Sequence, residues 1–231
     1  MKTVIIHGQS HKGSTYNIVA HMLGEKIGGE LAEFLLPRDF GEFCTGCTRC
    51  FLEHESKCPH YQKLSPITKA IDDADVVILA SPVYVFHATG AMKAFLDHYG
   101  YRWMVHSPDG RMFTKQGVCI STAAGAGMGK TNKDMGDSLF FWGIGKIYKY
   151  GVGVMATDWE SVSDKKRAAI DRKTTAMANA IKSRAGHVTP SLKTKAVFFG
   201  MHLLQRKGIN ERDKKHWQEQ GWTGSKRPWK N

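Results

Sequence analysis

The chain has no run of eighteen or more apolar residues, so no membrane-spanning helix is expected. It also has no long apolar stretch behind its N-terminus. Lys2 is followed only by Thr3 to Ile6 before polar residues return, too short for a secretory leader. A cytoplasmic protein is expected. Neither G-x-G-x-x-G nor G-x-x-x-x-G-K-[ST] occurs at the first glycine loop, so the common nucleotide fingerprints are unmet. Acidic residues are scarce: 21 Asp/Glu face 33 Lys/Arg, for a net charge of +12. Cysteine is sparse too. Five cysteines in a reducing compartment suggest a metal site, a redox role or structural thiols before disulfides.

What is present fits one large domain with an appendage, since 231 residues at 42% apolar can bury a full core. Thr3-Val4-Ile5-Ile6 reads as a buried strand. Gly8 to Thr15 follows without a large apolar side chain, and Ile18, Val19, Met22, Leu23 and Ile27 then recur at helical spacing. Ser14 and Thr15 stand where a helix N-cap is expected. A small polar turn entering a helix N-terminus offers free N–H groups and the positive end of the helix dipole. It can therefore serve as an anion site, or simply as a well-capped turn.

Further along, Leu31–Leu36 is a short apolar run, and 38–63 a long irregular insertion bearing cysteines and aromatics. Residues 66–73 read as a helix, 75–80 as a buried strand, 87–98 as a helix and 101–115 as a loop. The pattern continues with a strand at 117–122, a helix at 131–142, a strand at 152–156 and a helix at 163–185, before Pro190 marks a boundary. Five short strands alternating with helices predict an open parallel sheet covered on both faces. In such sheets ligands bind beyond the C-terminal strand ends. Loops 8–15, 81–86 and 122–127 should therefore share one edge.

These stretches resemble the flavodoxin-like NAD(P)H-dependent FMN reductases. Gly8-Gln9-Ser10-His11-Lys12-Gly13-Ser14-Thr15 is similar to their first loop, with Gln9 where the family usually has Ser and His11 where it usually has Arg. Ser81-Pro82-Val83-Tyr84 matches their S-P-V-Y segment, and Ala91-Met92-Lys93-Ala94-Phe95-Leu96-Asp97 its follow-on. Cys44-Thr45-Gly46-Cys47-Thr48-Arg49-Cys50 resembles the C-x-G-C-x-x-C stretch of the iron–sulfur flavoprotein branch and its cluster-free relatives. The resemblance implies a doubly wound, flavodoxin-like five-stranded parallel sheet over residues 1–187. It implies FMN phosphate at Gln9, Ser10, His11, Ser14 and Thr15. Ring contacts are implied from Pro82, Val83, Tyr84 and Val85 on one side, and from Thr122, Ala123, Ala124 and Gly125 on the other.

Cys44, Cys47, Cys50 and Cys58 give C-x2-C-x2-C-x7-C. Four thiolates in one loop could hold a 4Fe–4S cluster or tetrahedral zinc, or remain free thiols. Cys119, in a buried strand, reads as a small hydrophobe. The insertion at 38–63, with Phe40, Phe43 and Phe51, is expected to cover the flavin.

Residues 188–231 form a basic, Trp-rich C-terminal helical extension. Ten Lys/Arg against three Asp/Glu fall in 191–231. Its apolar stripe of Phe198, Met201, Leu203 and Leu204 is expected to pack across a homodimer or tetramer interface near the flavin. Interleaved Trp and Lys could stack bases, but nothing else supports a nucleic-acid partner. The implied function is an oxidoreductase passing electrons from NAD(P)H through FMN to a small acceptor such as a quinone, flavin or nitro compound. A flavodoxin-like electron-transfer protein, with or without a cluster, is the alternative. The sequence fixes neither the acceptor nor NADH against NADPH.

Overall fold

The computed structural model describes residues 1–11, 15–156 and 158–230. Its centre is a sheet of five parallel strands: β1 (Lys2–His7), β2 (Glu30–Leu35), β3 (Val76–Pro82), β4 (Gln116–Ala123) and β5 (Lys146–Gly153). The spatial order is β2-β1-β3-β4-β5. Helices α1 (Thr15–Ile27), α3 (Tyr61–Asp73), α4 (Gly90–Asp97), α5 (Met128–Phe141) and α6 (Asp164–Lys182) connect and cover it, and the four-residue α2 (Arg49–Leu52) lies in the insertion. The chain reverses direction across the sheet between β1 and β3, which is where such folds open a ligand crevice.

The central strands are buried on both faces, and side-chain alternation divides them between two cores. Val4, Ile6, Val77, Leu79 and Cys119 face α3, α4 and α5. Ile5, Val76, Ile78, Val118 and Ile120 face α1 and α6. Cys119 is fully buried, and burial pushes its thiol up to about 12, as expected of a packing residue.

Two element boundaries differ from the sequence reading. α3 begins five residues before Pro66, at Tyr61. Pro66 cannot donate to the Gln62 carbonyl, and the Ser65 hydroxyl donates to it instead at 3.3 Å. β5 occupies 146–153 rather than 152–156. Its Lys-Ile-Tyr-Lys-Tyr segment is polar because it forms a half-exposed edge strand, where lysines guard the open edge.

The C-terminal arm forms α7 (Leu192–Lys207) and α8 (Glu211–Glu219). Ser191 and Asn210 cap their N-termini through side-chain oxygens, and Gly208 (φ 85°) ends α7. Part of the arm's apolar surface is covered by its own chain, while Phe199, Leu203 and Leu204 stay exposed. Phe198, Trp217 and Trp222 are buried with Met104 and Phe113 of the same chain, and Phe140, Phe141 and Trp229 pack against them. Phe198 meets Phe113 edge-on at 5.3 Å, and Trp217 Nε1 donates to the His106 carbonyl at 2.6 Å. Phe113 leads into β4, and Phe140 and Phe141 close α5. The arm therefore sits at the N-terminal edge of the sheet, opposite the strand ends where ligands bind, and not beside them. Segment 101–115, read from the sequence as a loop, supplies two of the five buried residues of this third core, Met104 and Phe113.

Trp217 is fully buried among rings. Trp217→Ala is expected to cost about 3–5 kcal/mol in urea unfolding. A loss below about 1 kcal/mol would show that the arm is not held by this core.

Candidate functional site

The C-terminal ends of β1 and β3 meet the start of α4 around one buried hydroxyl. Thr89 Oγ1 donates to the Gly8 carbonyl at 2.6 Å and accepts from the Met92 N–H at 3.1 Å, capping α4. The Thr89 N–H donates to Ser81 Oγ at 3.1 Å, and Ser81 Oγ–H donates to the Pro82 carbonyl at 2.8 Å. Gly8 must be glycine here, because a Cβ would lie 2.9 Å from Thr89 Oγ1 and 3.0 Å from Ser81 Oγ. Its N–H reaches the Ala80 carbonyl at 2.7 Å. Just before it, buried His7 is locked by Glu33 and Asn17: Nε2–H donates to the carboxylate at 2.8 Å, and Nδ1 accepts from the amide at 3.1 Å. Burial acts to raise Glu33, but bonds from His7 and His21 outweigh it and hold the carboxyl below its usual range.

Above this knot lies a cavity of about 340 Å³. Gln9, His11 and Tyr16 line one end, Pro82, Val83 and Tyr84 one wall, and Thr122, Ala123 and Ala124 the other, with Val154 and Ala156 closing it. The three loops expected to share an edge do share it. Tyr16, Val154 and Ala156 were not singled out from the sequence. Tyr16 reads as one more helix residue, yet its phenol donates to the Gln9 carbonyl at 2.8 Å and fixes the loop from the helix side. Val154 is brought in by its N–H bond to the Ala123 carbonyl at 2.9 Å, a consequence of where β5 ends. Ser10 is exposed, and neither it, Val85 nor Gly125 is among the lining residues. Ser14, Lys12 and Gly13 lie outside the described residues. Thr15 opens α1, and its side chain also lies outside them.

The wall at 82–87 is a tight turn. Val83 N–H donates to the Thr122 carbonyl at 2.9 Å, and Tyr84 and His87 exchange backbone bonds at 2.9 Å. Val85 (φ 49°) and Phe86 (φ 66°) both adopt the left-handed conformation, costly for side chains of that size. The strain is held from outside by Asp134, which accepts from Ala88 N–H at 3.1 Å and pairs with His87 Nδ1 at 3.0 Å. The result leaves Tyr84, Val85 and Phe86 exposed; Met155 (φ 50°), between Val154 and Ala156 of the cavity lining, is exposed too.

The 38–63 insertion goes elsewhere, and no described residue of it lines this cavity. Phe40 is buried against Phe95 and His98 instead. Cys44, Cys47, Cys50 and Cys58 nevertheless converge, all lining one enclosed, mostly apolar cavity of about 60 Å³ with Phe51, His60 and His98. All four are free thiols. Burial, followed by the neighbouring Cys58, Cys44 and Cys47, pushes the Cys50 thiol up to about 11. Four converging cysteines are the donor set that a metal ion or cluster uses. His60 and His98 were missed, because nothing in their spacing links them to the cysteines. Cys58, His60 and His98 bring their ligand atoms within 4.8 Å of one another. His98 Nδ1–H donates to the Ala94 carbonyl at 2.8 Å, so its Nε2 accepts from His60 Nδ1–H at 2.9 Å. Burial lowers the His98 pKa, consistent with an accepting Nε2.

Comparison with known proteins follows the same division of the chain. A family model described as NADPH-dependent FMN reductase matches residues 1–154. An iron-sulfur flavoprotein of Archaeoglobus fulgidus is 31% identical over 166 residues, covering 67% of this chain and 70% of that protein. An NADPH azoreductase of Bacillus sp. (strain OY1-2) is 29% identical over 135 residues, covering 57% of this chain and 64% of its own. Among solved structures, an NAD(P)H:quinone oxidoreductase from Methanothermobacter marburgensis superposes with a TM-score of 0.61 at 15% identity. It covers 78% of this chain and 96% of its own, and so attests the fold.

Gly8→Ala is expected to destabilise the protein by about 1–3 kcal/mol, because the new methyl pushes directly on Thr89 and Ser81. Thermal unfolding measures it, and a variant as stable as the parent would mean that the knot is slack.

Proposed function

Because the chain belongs to the NADPH-dependent FMN reductase family, we propose that FMN occupies the cavity at the ends of β1, β3 and β4 and that NAD(P)H reduces it there. The observation that carries this reading is the lining itself: a polar loop at a helix N-terminus opens directly into a slot between two small-residue walls. No described helix is long and apolar enough to cross a membrane, and the family's acceptors are small molecules.

The phosphate would rest on the 9–15 loop, at the positive end of the α1 dipole. Gln9 and His11 stand at that end of the cavity, and Ser10, Ser14 and Thr15 complete the loop of this proposal. The ring would lie between Pro82-Val83-Tyr84-Val85 and Thr122-Ala123-Ala124-Gly125, whose small and apolar side chains exclude water from both faces. Bound FMN supplies the chemistry, accepting a hydride from NAD(P)H and passing two electrons to the acceptor. No side-chain acid or base is assigned. The protein binds, orients and shields. Its net charge of +12 favours the approach of anionic nicotinamide cofactors. A quinone, flavin, nitro or azo compound would suit the open mouth. The exposed Tyr84, Val85, Phe86 and Met155 there offer apolar contact to such a substrate, or to a second copy in a homo-oligomer. A cytoplasmic setting completes the proposal, in keeping with five free cysteines.

The four-cysteine cavity supports a second component. Cys44, Cys47, Cys50 and Cys58 fit the donor set of a 4Fe–4S cluster, which would store single electrons near the protein surface. An electron-transfer role through such a cluster is the alternative to turnover of a small acceptor. Zinc on Cys58, His60 and His98 is the competing occupant. Iron, sulfide and zinc content of protein purified without air separates the two.

Ala124 is exposed on the cavity wall and holds up no core. Ala124→Glu, which places a carboxylate in the ring slot, is expected to weaken FMN binding by about tenfold or more, followed by quenching of flavin fluorescence. An unchanged Kd would place the flavin elsewhere.

A further inference from the structure

The C-terminal arm lies beyond residue 154, where the family match ends, yet one of its side chains enters the four-cysteine loop. Arg212, in the first turn of α8, has a side chain only 16% exposed. Its Nη1 donates to the Cys50 carbonyl, and its Nη2 donates to Glu55 Oε2 at 3.0 Å. Cys50 belongs to α2, and Glu55 opens the 3-10 turn that ends at Cys58. One planar guanidinium thus bridges the segment bearing the third cysteine and the segment leading to the fourth.

The next residue in α8 makes a second attachment. Asp213 is fully buried, fixed by Asn210, and accepts from His106 Nδ1 at 2.8 Å. The His106 ring meets Phe51 edge-on at 4.8 Å. Phe51 follows Cys50, and its ring lies 3.1 Å from where a Cβ on Gly100 would be. The loop needs such support. α2 has four residues and buries none of them, and so short a helix cannot hold itself in water.

We propose that Arg212 is a positioning residue for the four-cysteine site, so that the C-terminal arm is a working part of that site rather than an appendage. The proposal draws on the cluster reading above only for what the site holds. The clamp itself is a property of the loop. Without Arg212 the Cys50 carbonyl loses its donor, Glu55 is left with His54 at 3.5 Å, and residues 49–58 open. Cys50, half-buried, then becomes reachable.

The test uses full-length, metal-free protein treated with iodoacetamide, each cysteine being followed by mass spectrometry. In the parent, Cys44 and Cys47 should react first and Cys50 slowly. Arg212→Leu should speed Cys50 alkylation about tenfold while leaving Cys44 and Cys47 within about twofold. Arg212→Lys keeps the charge but cannot bridge two acceptors in a fixed plane, so it should recover only part of the protection. Tryptophan circular dichroism checks that the arm stays folded. Should Arg212→Leu fail to fold, Glu55→Gln releases the bridge from the loop side and should still speed Cys50 alkylation about threefold. Cys50 rates equal to the parent's in the folded variants overturn the clamp. A separate arm loads parent protein with iron and sulfide and follows cluster absorbance against a chelator. Failure of the parent to load overturns the cluster reading alone. A cluster that loads but decays no faster in Arg212→Leu than in the parent overturns the clamp.

Discussion

The buried Thr89 hydroxyl is the interaction on which the candidate site depends. It satisfies the carbonyl just past β1 and the first turn of α4 together, while the residue's N–H holds the serine next to the end of β3. Parallel strands alone would bring β1 and β3 side by side but would leave their exit loops free. With Thr89 in place, Gly8 can approach only without a side chain, and the 82–87 wall is aimed across the gap. The strain in Val85 and Phe86 is sustained because Asp134 grips the turn from α5. Removing a partner inside such a network leaves a buried group unsatisfied, which costs more than the net worth of one hydrogen bond.

The rest of the molecule is arranged at a distance from that crevice. The arm closes a third core at the N-terminal edge of the sheet, where Phe113 and the end of α5 would otherwise expose their rings. From there α8 extends to the cysteine loop. The loop itself packs on α3 and α4, with Phe40 against His98, rather than over the strand-end crevice. The protein thus carries two candidate redox sites, one built on the ends of the strands and one on a loop secured from the C-terminal arm.

The sheet was legible because its central strands are nearly continuous runs of β-branched residues, as in Val76-Val77-Ile78-Leu79. The three site loops were legible because small and polar residues follow those runs directly. β5 was misplaced because an edge strand need not be apolar: Tyr148 and Tyr150 alternate with lysines, and only the side chains of one face are covered. His60 and His98 could not be found, since they meet across 38 residues of sequence, nor could Tyr16, since its phenol bonds a backbone carbonyl that no side-chain pattern marks. The arm was legible only in part: Phe198 shares a core with Met104 and Phe113, which lie in a segment with no period to announce it, while Leu203 and Leu204 stay exposed.

The central claim is that flavin binds where the strand ends meet. Hydrogen exchange followed by mass spectrometry, on metal-free protein with and without saturating FMN, tests it most directly, because it reports on every loop at once. The account predicts slowed exchange in peptides covering 9–16, 82–88, 122–126 and 154–156, with little change in 211–222. Protection confined to the cysteine loop or the C-terminal arm, with the strand-end loops unaffected, would contradict it.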